Sequence, residues 1–65
     1  MEIKEFDVVK TLVKKVDFGR KSIRKGTRGV VAGIYEDGSY AVNFGKIWSV
    51  LYLRDEIEFV NRKEE

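Results

Sequence analysis

Sixty-five residues with no Cys and no His confine the chain to one small domain, residues 1–65, that no disulfide can staple and no imidazole–thiolate zinc site can nucleate. The same two absences remove the commonest general base and the strongest side-chain nucleophile, so no enzyme activity, no cofactor and no metal site are expected. Thirteen Lys and Arg oppose eleven Asp and Glu for a net +2, yet residues 14–28 hold seven bases against one acid (+6), leaving six bases and ten acids (−4) elsewhere.

In chain order, residues 6–13 are dense in β-branched side chains and run into a basic, Gly-bearing stretch, which predicts a first strand followed by a long loop. Val8, Val9, Leu12 and Val13 occupy both parities, so periodicity leaves its inward face open. A second strand is predicted from Thr27 or Arg28 through Tyr35, then a turn at Glu36-Asp37-Gly38-Ser39, then a third strand over residues 40–44. Tyr40, Val42 and Phe44 share one face of that third strand, the expected core side. Gly45-Lys46 turns the chain into a fourth strand, residues 47–53, whose two faces are both apolar: Ile47, Leu51 and Leu53 with Ser49 on one, Trp48, Val50 and Tyr52 on the other. Arg54-Asp55-Glu56 reads as a single helical turn before a closing strand over residues 57–60, and residues 61–65 read as a frayed tail. The core is therefore expected within about residues 6–60.

Five short strands, a long basic loop after the first and one helical turn before the last are the arrangement of an all-β, five-stranded SH3-like small barrel. The residues Lys25-Gly26-Thr27-Arg28-Gly29-Val30-Val31, Asp37-Gly38-Ser39-Tyr40-Ala41-Val42-Asn43-Phe44 and Leu51-Tyr52-Leu53-Arg54-Asp55-Glu56-Ile57 carry this likeness. With Asp7-Val8-Val9 they resemble a functionally uncharacterised family of short prokaryotic barrels that begin with an Asp-Val-Val strand. More distantly they are similar to the KOW motif of ribosomal and transcription-elongation proteins and to the small barrel subunit of photosystem I. The resemblance spans residues 6–58 and implies a fold rather than an activity, because small barrels host unrelated functions. Many relatives carry Pro in the loop after the first strand, whereas this chain has none.

The basic loop supplies the first candidate site: Lys14, Lys15, Arg20, Lys21, Arg24, Lys25 and Arg28, with Asp17 as its one acid. Like charges so closely packed repel one another, which favours a role in binding something acidic over simple solvation. Tyr35, Trp48 and Tyr52 supply the second. If Leu53 and Ile57 close the barrel together across the helical turn, Leu51 and Leu53 point inward and Trp48 and Tyr52 form an outward stripe; the opposite facing would make the aromatics core. Gly26-Thr27-Arg28-Gly29 has the G-x-x-G spacing of backbone-clamping KH loops, but the helices of a KH domain are missing, so strand-bending glycines are the expected reading. Gly45-Lys46 lacks the rest of a P-loop, and Asp55, Glu56 and Glu58 do not have EF-hand spacing. Glu36 and Asp37 sit on a hairpin tip, where water keeps carboxylates near their ordinary pKa.

These features predict a non-enzymatic module that engages an acidic protein surface, in the manner of an adaptor, an inhibitor or an antitoxin-like partner. A nucleic-acid binder that neutralises phosphates with the same loop is the alternative, and a homodimer is the third class. The longest apolar run, Val30 through Tyr35, is far short of the roughly 18 residues of a membrane span. No signal or transit sequence opens the chain, so a cytoplasmic location without membrane contact is expected.

Overall fold

A computed structural model describes residues 2–17, 21–45 and 49–62, apart from the side chains of Asp17 and Lys21. Its strands are β1 (Asp7–Thr11), β2 (Lys15–Asp17), β3 (Lys21–Ile23), β4 (Arg28–Ile34), β5 (Tyr40–Asn43), β6 (Ser49–Tyr52) and β7 (Ile57–Arg62). A 3-10 turn, Arg54–Glu56, precedes β7 and is the only helical element among the described residues. No helix among them is long and apolar enough to cross a membrane.

Five of the strands form one antiparallel sheet in the order β6-β5-β4-β1-β7, and β2 and β3 pair as a separate hairpin. The basic loop is thus partly a hairpin. Its strands have only three residues each, Lys15-Val16-Asp17 and Lys21-Ser22-Ile23, too few for a two-residue period to stand out.

Alternation along β1 buries Asp7, Val9 and Thr11 and turns Val8 and Lys10 toward the other face. Two of the three inward residues are polar, which is why hydrophobic periodicity does not reveal the facing. Each is satisfied. Asp7 Oδ2 accepts the Lys4 N–H at 2.8 Å, and Oδ1 accepts Arg62 Nη1 at 3.2 Å. This pair ties the start of the chain to the end of β7, so Asn61 and Arg62 are strand residues rather than part of a frayed tail; residues 63–65 lie outside the described residues.

Ile3, Val9, Val31, Val42, Tyr52 and Ile57 form the buried core, with Val13, Tyr40, Phe44, Val50 and Phe59 packed against it. The expected inward face of the third strand, Tyr40, Val42 and Phe44, lies on this core. Ile3 extends it beyond the expected range. Two irregularities bend the sheet, one between Val8 and Val9 against β7 and one between Val31 and Gly33 against β5. At the β4–β5 hairpin Gly38 has φ +92°, and Asp37 Oδ1 accepts both the N–H and the hydroxyl of Ser39. These two bonds hold the Asp37 carboxyl below its ordinary pKa of 3.8, so it departs from the value expected for a solvated tip and is a poorer base.

The facing of β6 corrects the expected aromatic stripe. Tyr40 pairs with Tyr52 and Val42 with Val50, so β6 takes its inward set from the inward set of β5. Tyr52 is fully buried, while Leu51 and Leu53 are 52% and 54% exposed. Leu53 and Ile57 do not close the core together: the 3-10 turn between them buries Ile57 and leaves Leu53 in solvent.

Candidate functional site

Thr11 organises the basic segment. Fully buried at the end of β1, it makes four hydrogen bonds to the turn that leads into β4. Its Oγ1 donates to the Arg24 carbonyl at 2.9 Å and accepts the Thr27 N–H at 3.0 Å. Its backbone carbonyl accepts the Gly26 N–H at 2.7 Å, and its own N–H donates to the Thr27 carbonyl at 2.9 Å. Thr27 adds a bond from its hydroxyl to the Arg24 carbonyl at 2.7 Å, and Gly26, with φ +89°, turns the chain where other residues would be strained. The backbone of residues 24–28 is therefore fixed to the sheet, and Arg24, Lys25 and Arg28 project from it exposed.

Thr11→Val keeps the shape and deletes the hydroxyl, leaving the Arg24 carbonyl and the Thr27 N–H each short of one partner. The expected cost is about 1–3 kcal/mol. By amide hydrogen exchange, Gly26 and Thr27 should lose protection while the β5 amides keep theirs.

The seven expected cations divide by environment. Lys14, Arg24, Lys25 and Arg28 are exposed and form no ion pair among the described residues. Lys15 is drawn inward: its Nζ lies 2.9 Å from Glu56 Oε1, donates to the Leu51 carbonyl at 2.8 Å and stands 4.6 Å from the centroid of the Tyr52 ring. It latches the β2–β3 hairpin across the open edge of β6 and is spent on the fold. Lys21 belongs to β3, and Arg20 lies outside the described residues.

The Leu53 N–H and then Lys15 hold the Glu56 carboxyl below its ordinary pKa of 4.5. A lowered folded value means the latch stabilises fully above that ordinary value and is lost as pH falls through the lower one. Burial, and then the charge of Glu56, push the Tyr52 phenol up from 10.0.

Of the expected aromatic anchors, Tyr35 is 54% exposed, Tyr52 is buried, and Trp48 lies outside the described residues. Tyr52 is corrected from anchor to core. Tyr35 follows β4 at the end opposite Arg28, roughly 20 Å away at the rise of an extended strand. The two do not form one compact anchor.

The sequence does not single out the side chains that do flank Arg28. Register sets Lys10 opposite Arg28 and Val8 opposite Val30 across β1 and β4. Lys10 Nζ pairs with Glu58 at 3.5 Å on the far side of β1. Phe6 lies beyond Val8 with φ +74°, its N–H bonded to the Val31 carbonyl, and is 60% exposed. No residue pattern announces a left-handed phenylalanine.

Gly29 serves packing. A Cβ there would lie 2.6 Å from Val42 Cγ1 and 2.9 Å from two carbons of the Phe44 ring. Among the described residues no group of three or more acidic side chains is placed to hold a metal ion. Comparisons with protein-family models, with curated proteins and with solved structures find no match to this chain.

Proposed function

We propose that the chain is an SH3-like small barrel that works as a non-enzymatic docking module for an acidic protein, with Arg24, Lys25 and Arg28 as its contact. The carrying observation is the turn of residues 24–28, pinned by Thr11, with three exposed cations free of ion pairs among the described residues. A contact already ordered before binding forfeits less entropy when its partner arrives. The sheet order, with the first strand between the second and the last of the five and a hairpin inserted after the first, supports the barrel reading.

Nucleic acid is the weaker reading. Three or four available cations correspond to a salt slope of only about three to four and a correspondingly modest affinity. The rest of the chain, net acidic, opposes a phosphate backbone.

The test is capture on the immobilised chain from a nuclease-treated native lysate. One acidic protein should be retained in stoichiometric amount and lost when Arg24, Lys25 and Arg28 are all changed to Gln. Retention by that triple variant, or nucleic acid as the sole captured species before nuclease treatment, contradicts the proposal.

A further inference from the structure

A groove of about 530 Å³ opens beside the basic turn, with Arg28, Val30 and Ala32 of β4 along it and Phe6, Phe44 and Gly45 at its sides. Arg28 is the only charged side chain lining it among the described residues. The remainder is apolar or small, apart from Asn43, whose side chain already accepts the Gly45 N–H at 2.7 Å.

Arg28 and Val30 are two residues apart on one strand and point to the same side, roughly 7 Å from each other. An extended peptide has the same two-residue repeat. A segment lying along β4 therefore sets one side chain on the Arg28 guanidinium and the next one of that face over Val30.

Phe6 adds an independent sign. A non-glycine residue at φ +74° is uncommon; here it closes the turn in which the Asp7 N–H donates to the Lys4 carbonyl at 3.1 Å, and it leaves Phe6 60% exposed. That turn sets Phe6 along this groove. Arg28 supplies the charge complementarity that selects the occupant: an anion at one end and an apolar body at the other.

Resting on the reading of the basic turn as a docking site for an acidic protein, we infer that this groove receives an extended segment of that partner in which a carboxylate side chain and an aliphatic or aromatic side chain lie two positions apart. The carboxylate meets Arg28, with Arg24 and Lys25 strengthening the local positive field. The apolar side chain lies on Val30 beside the ring of Phe6.

Selection of phage-displayed ten-residue peptides on the whole chain tests this. Enriched peptides should carry Asp or Glu two positions from Leu, Ile or Phe, and should bind Arg28→Gln at least about tenfold more weakly. Phe6→Gly removes the ring while relieving the positive φ; its melting temperature should not fall, yet the peptides should again bind about tenfold more weakly.

Peptides lacking an acid, peptides indifferent to Phe6→Gly, or no enrichment at all would overturn the inference. So would binding of an oligo(dT) probe that depends on Phe6 where no peptide is enriched. If the captured protein is lost on neutralising Arg24 and Lys25 but kept by Phe6→Gly, the groove assignment fails and the basic turn stands. If neither change releases it, both fail.

Discussion

Replacing Tyr52 with alanine should cost about 3–5 kcal/mol, about a third or more of the stability of a 65-residue domain, which totals roughly 3–10 kcal/mol. Tyr52 is the largest fully buried side chain among the described residues, stands edge-on to Phe44 with ring centroids 6.0 Å apart, and receives Lys15 on its face. The phenol oxygen is the exception: buried and without a hydrogen-bond partner among the described residues. Tyr52→Phe keeps the ring, the edge contact and the Lys15 contact, and deletes only that unpaired oxygen. It should be at least as stable as the parent in urea unfolding, by up to about 1 kcal/mol. A Phe variant weaker by more than about 1 kcal/mol would show that the hydroxyl contributes a bond to the fold. The pair of variants thus separates packing from polarity at one position.

Gly29→Ala should destabilise by about 1–3 kcal/mol through overpacking, and its cause can be isolated. The added methyl meets Val42, whose branched side chain is stiff and fully buried, and the ring of Phe44. Val42→Ala is itself costly, but it clears the closest contact. The double variant should therefore lose less than the sum of the single losses, by at least about 0.5 kcal/mol. Strict additivity would place the effect outside the β4–β5 contact. Gly26→Ala, whose Cβ meets nothing within 4 Å, is expected to act through its φ of +89° alone. Two glycines three residues apart thus serve two physical needs, a left-handed turn and a close strand contact.

Much of the strand layout follows from local chemistry that the sequence displays. β-Branched density marks β1, β4 and β7, Asp37-Gly38-Ser39 marks the hairpin, and Arg54-Asp55-Glu56 marks the 3-10 turn. Facing is legible where one parity holds the large apolar side chains, as on β5, with Tyr40 and Val42 against Ala41 and Asn43. It is hidden on β1, where the inward side is Asp7, Val9 and Thr11, and on β6, where both sides are apolar and pairing with β5 decides.

The candidate site divides along the same line. A cluster of cations in sequence is visible as charge, but which of them remain available depends on tertiary pairs such as Lys15 with Glu56. The role of Thr11 depends on contacts 13 and 16 residues away. Phe6 enters the site through register and a positive φ, neither of which its neighbours in sequence encode.

Among the described residues, the basic turn with its groove is one region a partner can cover, and the exposed Tyr35, Leu51 and Leu53 around the small residues Ser39 and Ala41 are another. Amide hydrogen exchange on the captured complex, compared with the free chain, discriminates between them. Added protection at the turn of residues 24–28 and along β4 as far as Val30 is the predicted result. Protection centred on Tyr35, Leu51 and Leu53, with the turn unchanged, would contradict the assignment of the cationic turn as the docking surface.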